Sequence, residues 1–171
     1  MGVLSSRSLF WLIAVLLPVP ATADSFDNDF EEKPWTEIEV QLPSFPQKDD
    51  LVAFRVGATN NTQFQLDSKS LSIGADGVIR YTLIVVSPSG AENISYEGMR
   101  CAMAERRSYA FGHSDQTWSK ARSNQWTRIQ GTSNNLYVDL YSNYFCTIGA
   151  PALRSADDML RVLRKGGNPR Y

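Results

Sequence analysis

The chain has 171 residues, a formal net charge of −1, 43% hydrophobic residues and 20% charged ones. That balance excludes a wholly disordered chain, a coiled coil and a multi-pass membrane protein. It also lacks the overall positive charge that marks a nucleic-acid binder.

In chain order, the first element is a leader. Arg7 precedes a nine-residue apolar run at residues 9–17 (LFWLIAVLL), which Pro18 and Pro20 interrupt before Ala21-Thr22-Ala23. Basic, apolar and small elements in that order read as a secretory signal over residues 1–23. Nine helical residues rise roughly 14 Å, about half of a ~30 Å bilayer core, so the run is too short to remain as a transmembrane anchor. No Cys follows the cleavage pattern, so no lipid anchor is expected there. The expected localisation is exported, periplasmic or secreted. Losing Arg7 with the leader leaves 16 basic and 18 acidic residues, a net charge of −2, on a chain of one-domain size.

Residues 24–50 carry nine acidic and two basic residues with Pro34, Pro43 and Pro46, whereas residues 51–171 carry 14 basic and nine acidic. Residues 24–34 read as a flexible acidic lead-in, solvated rather than folded back on the basic body. Residues 35–165 read as one domain and 166–171 as a loose tail.

Ile38, Val40 and Leu42 alternate with polar neighbours, predicting a half-buried strand before Pro43. Residues 51–56 (LVAFRV) and 62–66 (TQFQL) predict two more, and Leu71 and Ile73 continue the alternation. Asp76-Gly77 between apolar runs signals a hairpin, and residues 78–86 (VIRYTLIVV) form the strongest strand pattern, long and apolar enough for a central place. Residues 92–112 are read as strand, with Cys101, Met103, Glu105, Arg107, Tyr109 and Phe111 on one face and a bulge near Gly98. Residues 113–132 read as a loop holding Trp118 and Trp126. Residues 134–145 show helical spacing through Leu136, Leu140 and Tyr144, capped by Ser133 or Asn134. A second helix starts at Ser155, with Asp158 three residues on, and ends at Gly166-Gly167. Strands first and helices last predict an α+β fold: an antiparallel sheet of about five to six strands with two C-terminal helices.

Cys101 and Cys146 are the only cysteines. In an exported chain they predict one disulfide stapling the first C-terminal helix to the sheet. It closes a 46-residue loop, contributing about 4 kcal/mol in the loop-entropy view. No Cys-x-x-C occurs and His113 is the only histidine, so neither a redox pair nor a metal site is expected. No cofactor is expected either.

Catalytic signatures are absent: no nucleophile elbow, Walker loop, dinucleotide fingerprint or zinc-protease helix. Gly112-His113-Ser114-Asp115 holds triad residue types, but adjacent side chains diverge, so it reads as a polar turn. Glu97 and Glu105 flank Cys101 among Arg100, Arg106 and Arg107, which favours ion pairing over acid–base work. Trp118, Lys120, Arg122, Trp126 and Arg128 interleave aromatic and basic residues. Such a surface can hold single-stranded nucleic acid, but export leaves acidic glycans, anionic headgroups or a protein as partners. The plain alternative is two tryptophans packed beneath a loop. Asn60-Asn61-Thr62 and Asn93-Ile94-Ser95 match glycosylation acceptors, which matter only in a eukaryotic secretory route.

Asn93-Ile94-Ser95-Tyr96-Glu97-Gly98-Met99-Arg100-Cys101, Tyr109-Ala110-Phe111-Gly112, Trp118, Trp126 and Tyr144-Phe145-Cys146 together resemble an uncharacterised family of proteobacterial exported proteins, the cryptic neisserial protein-like domain, over residues 30–165. The resemblance implies a bacterial envelope or periplasmic protein and supplies no catalytic residues.

The expected function is therefore non-enzymatic: an exported domain that binds a partner protein or an envelope component such as a glycan. Tyr96, Glu97, Arg100, Trp118 and Trp126 are the candidate binding or structural cluster. The alternative is a small hydrolase acting on an envelope polymer, using two of Glu97, Glu105, Asp115 and His113.

Overall fold

In the computed structural model, which describes Gly2 and residues 34–57, 61–131 and 135–167, an antiparallel sheet forms from β-branched and aromatic runs broken by turns. The leader, most of the acidic lead-in, Asn60, Ser133, Asn134 and residues 168–171 lie outside the described residues. Strand β1 is Leu51–Phe54, β2 Gln63–Asp67, β3 Ser72–Ile73 and β4 Val78–Val86. Between β3 and β4 the chain reverses at Gly77, whose φ of 76° suits glycine. Strand β5 (Glu92–Arg100) pairs with β4 along its whole length, from Val78 opposite Arg100 to Val86 opposite Glu92. β4 is flanked by β2 and β5, the central place its apolar run predicts.

The stretch 92–112 is two strands rather than one. β5 ends in a short 3-10 turn, Cys101–Met103, and Ala104 turns left-handed with φ 51° before β6, Glu105–Gly112. No Gly, Pro or Asn announces this reversal. β5 and β6 shift register at Tyr96/Glu97, next to Gly98. Gly98 is required: a Cβ there would collide with the Tyr109 hydroxyl.

Two short strands, β7 (Trp118–Lys120) and β8 (Thr127–Arg128), both pair with β6, where a loop was expected. The order β1-β2-β4-β5-β6-β7, with β3 on β4 and β8 on β6, makes eight strands, more than the five to six expected. The surplus comes from the division of 92–112 into β5 and β6 and from the short strands β7 and β8, too short to show a period of two, against the loss of the strand expected at 38–42.

Helix α1 (Leu136–Asp139) continues as a π turn over Leu140–Phe145, and Asn135 rather than Ser133 or Asn134 caps it, accepting from the Tyr137 N–H at 3.0 Å. Strands β9 (Cys146–Thr147) and β10 (Ala150–Pro151) form a small separate hairpin. Helix α2 (Ala156–Lys165) is capped by Ser155 and closed by Gly166 at φ 86°. Both helical segments bury their stripes on one sheet face: Leu140, Tyr144, Phe145, Met159, Leu160 and Leu163 join Phe54, Leu66, Tyr81, Leu83 and Met99 in the main core. The Cys101–Cys146 disulfide is formed within it.

Residues 35–46 are not a strand. They lie outside any ladder, as a strap on the other sheet face. There Val40 packs on Tyr96, Tyr109, Ala110 and Trp118. The alternation of Ile38, Val40 and Leu42 is real, but Ile38 and Leu42 stay exposed at 45% and 39%.

Candidate functional site

Successive residues of a strand point to opposite faces, and this divides the predicted cluster. Tyr96 packs beneath the strap, 5.4 Å from the Tyr109 ring and 6.5 Å from Trp118. Arg100 lies on the same side, 2.5 Å from Glu105 and with its guanidinium 4.1 Å from the Trp35 ring centre. Glu97 points the other way, into the helix-covered core. Tyr96, Glu97 and Arg100 therefore form no single cluster.

Glu97 is 2% exposed. It accepts from Ser95 Oγ at 2.7 Å, from the Tyr137 hydroxyl at 3.0 Å and from the Tyr81 hydroxyl at 3.4 Å. Burial raises its pKa, and the Ser95 bond, the Arg106 charge and the two tyrosine bonds offset this only in part. The same burial, with the nearby Glu97 charge, pushes the Tyr81 and Tyr137 hydroxyls up. Arg106 lies over the Tyr137 ring, 3.7 Å from its centre.

Trp118 and Trp126 do share a face with Arg100, but the chain's own strap covers it. Trp118 donates from Nε1 to the Pro43 carbonyl at 3.1 Å and packs on Phe45. Trp126 meets Trp35 edge-on at 6.0 Å. Glu37, which no local pattern singles out, is the strap's anchor. It pairs with Arg107 at 2.6 Å and Arg80 at 3.4 Å, and accepts from the Tyr109 hydroxyl at 2.6 Å. Asp76 completes the set, 2.6 Å from Arg80 and accepting from the Ile38 and Val78 N–H groups. Burial raises the Asp76 pKa, but the Arg80 bond and the two N–H bonds more than offset it, leaving it below the ordinary carboxylate value.

Of the candidate hydrolase groups, Glu97 and Glu105 stand apart, and His113 and Asp115 share the β6–β7 turn with no hydrogen bond between them among the described residues. Glu97 is in the core and Glu105 is held by Arg100. Asp115 accepts from the Thr117 hydroxyl and N–H within the β6–β7 turn. His113 lines a cavity of about 430 Å³ whose walls include Asp49 and Glu92. Among the described residues no hydrogen bond joins any two of His113, Asp49 and Glu92. Nor do the described residues hold a His/Cys/Asp/Glu group suited to a metal ion.

A second cavity has a different character. β7 and β8 pair with the two ends of β6, and the connector 121–126 bows away between them. The cleft left there measures about 390 Å³ and is lined by Arg106, Arg107, Lys120 and Arg122, with Ser108, Ser119, Ser123, Gln125, Thr127 and Phe111. Four cations, five neutral hydrogen-bonding side chains and no carboxylate line it. Lys120 and Arg122 are exposed and form no ion pair among the described residues. Interleaved basic and aromatic residues at 118–128 were the only sequence signal of this cleft. Its actual walls include Lys120 and Arg122, while Trp118 and Trp126 serve the strap.

No described helix is long and apolar enough to cross a membrane. The chain is 31% identical over 134 residues to Cryptic neisserial protein 1 of Neisseria gonorrhoeae (strain ATCC 700825 / FA 1090), covering 68% of this chain and 66% of that protein, just under two thirds of the relative's length. No solved structure matches. The CNP1-like family matches residues 30–164, from before the strap into α2, and the chain belongs to that family.

Proposed function

We propose that this protein is a non-catalytic exported domain that binds an envelope component or partner protein through the basic cleft between β7 and β8. The observation that carries this reading is the wall chemistry. Four cationic side chains surround one cleft without an acidic residue among them, an arrangement that attracts anionic partners and repels cationic ones. The disulfide supports export, because such bonds persist in oxidising compartments. The leader pattern of residues 1–23 supports it independently. The separation of Glu97 and Glu105, and the placing of His113 and Asp115 in one exposed turn rather than across a cleft, weigh against the hydrolase reading, which needs a positioned pair across one cleft.

The test is retention of solubilised envelope material on the immobilised protein, compared with a K120E/R122E variant. The expected outcome is a component retained by the wild type at low salt and lost from the variant. Equal retention by both proteins removes the cleft from function. Fractionation with intact-mass measurement tests export: the expected species starts at Asp24 outside the cytoplasm, and an uncleaved cytoplasmic chain overturns it.

A further inference from the structure

We infer that the cleft between β7 and β8 takes a phosphate ester attached to a sugar- or glycerol-sized group, an inference that rests on the binding reading above.

Three observations narrow the ligand. The first is charge. Glu37 neutralises Arg107 from the strap side, and Arg106 lies over the Tyr137 ring with its charge acting on Glu97, but Lys120 and Arg122 form no ion pair among the described residues. A single carboxylate would answer only one of those two exposed charges. A phosphate ester brings up to two negative charges and several acceptor oxygens on one tetrahedral centre.

The second is donor type. Planar guanidinium forks, a mobile ammonium and the hydroxyls of Ser108, Ser119 and Thr127 surround the cavity. This mixture fits oxygens spread in three dimensions better than the flat edge of a carboxylate.

The third is size and wall. A cavity of about 390 Å³ falls in the range of small-molecule sites, roughly 300–1,000 Å³, with room beside the phosphate for a further group. Phe111 lines the same cavity and is 45% exposed. Its ring offers the C–H face of a sugar or polyol an apolar surface. No carboxylate lines the cleft to take hydroxyl hydrogen bonds in the manner of a neutral-sugar site, so the phosphate is the anchoring group.

The experiment is calorimetric titration of the purified protein with glycerol 3-phosphate, with inorganic phosphate and with sodium acetate at matched ionic strength, alongside co-sedimentation with phosphatidylglycerol vesicles. Glycerol 3-phosphate is expected to bind, inorganic phosphate more weakly, and acetate not measurably. K120A/R122A, which removes two exposed side chains without ion pairs and so leaves the fold intact, is expected to weaken binding about tenfold or more. Binding of the soluble ester without vesicles identifies a soluble or polymer-borne phosphate as the source. Vesicle binding lost in the same variant identifies a lipid headgroup. Acetate competing as well as phosphate, or K120A/R122A binding unchanged, overturns the inference. If no phosphate compound binds while envelope material is still retained through the cleft, the ligand class falls and the binding function stands. If neither occurs, both fall.

Discussion

The sheet has two faces, and the same strands close them by different means. Toward the helices, β4 and β5 present Ile79, Tyr81, Leu83 and Met99, which pack against Leu140, Phe145, Met159 and Leu163. Toward the strap, the alternate positions present Arg80, Tyr96 and Arg100. Their cover has no backbone ladder; side chains pin it, chiefly Glu37 between Arg80 and Arg107, with Trp35 over Arg100. Burial of apolar area is non-directional and tolerates salt, whereas ion pairs at a half-wet surface depend on geometry and weaken as salt rises. The helix face should therefore behave as the thermodynamic core, and the strap as a unit that opens separately.

The largest effect should come from the staple on the helix face. Cys101 and Cys146 are 45 residues apart in sequence, and opening that loop should cost about 4 kcal/mol, a large part of a usual total of about 5–15 kcal/mol. Urea unfolding of a C101S/C146S variant against the oxidised wild type measures this. A midpoint that does not move would mean that the helices hold to the sheet by packing alone.

The next effect addresses the strap. Glu37→Ala deprives Arg107 of its carboxylate and leaves Arg80 with Asp76 alone, at an expected cost of about 2–3 kcal/mol. The comparison sharpens if the loss is local. Amide exchange should quicken around residues 35–46 while the β4–β5 amides keep their protection. Uniform loss of protection across both faces would show that strap and core unfold as one.

Much of this contrast could be read in the sequence only from one side. The run 78–86, the Asp76-Gly77 reversal and the Ser155 cap rest on local chemistry, and the cysteine pairing on there being only two cysteines to pair; each appears where those signals place it. The strap was misread because alternation is not matched by burial there, Ile38 and Leu42 staying exposed while Glu37 is half-buried, and because alternation does not say whether a neighbouring strand supplies hydrogen bonds. The hairpin within 92–112 was missed because Ala104 makes the left-handed turn that glycine usually announces. The cleft was half legible: Lys120 and Arg122 were visible as charges, but Arg106 and Arg107 reach it only through β6 pairing with both β7 and β8. Glu37 as an anchor was invisible, because its partners Arg80, Arg107 and Tyr109 lie 43, 70 and 72 residues away.

Gly98 is a smaller test, at the point where the two faces meet in the β5–β6 bulge. The Gly98→Ala methyl would meet the Tyr109 hydroxyl and ring, and Tyr109 is held in place by Glu37. The ring cannot move without breaking the strap's anchor, so a cost of about 1–3 kcal/mol is expected. Pairing Gly98→Ala with Tyr109→Phe, followed by thermal unfolding, separates the two contributors. If the hydroxyl is the obstruction, the double variant recovers part of the loss.

The smallest effect is one of sign, and it sets the faces against each other most directly. Asp76 on the strap face titrates below its ordinary 3.8. Its contribution is present above pH 3.8 and is lost as pH falls through the lower folded value. Glu97 on the helix face titrates above its ordinary 4.5. Its contribution is fully present below pH 4.5 and is lost as pH rises through the higher folded value. Mild acid therefore favours the helix face before stronger acid weakens the strap. Glu97→Gln keeps the shape and can still accept from Ser95 and Tyr137 through its amide oxygen, while its amide NH2 takes the place of Oε2 and donates to a Tyr81 hydroxyl that turns to accept, and the charge that burial penalises is gone. The variant should match the wild type below pH 4.5 and exceed it slightly at neutral pH, because the decline assigned to Glu97 is abolished. Asp76→Asn should act oppositely, losing stability at neutral pH and converging on the wild type in acid. If Glu97→Gln instead destabilises at neutral pH, the three hydroxyl bonds and Arg106 favour the carboxylate more than burial penalises it, and the two faces share one electrostatic logic after all.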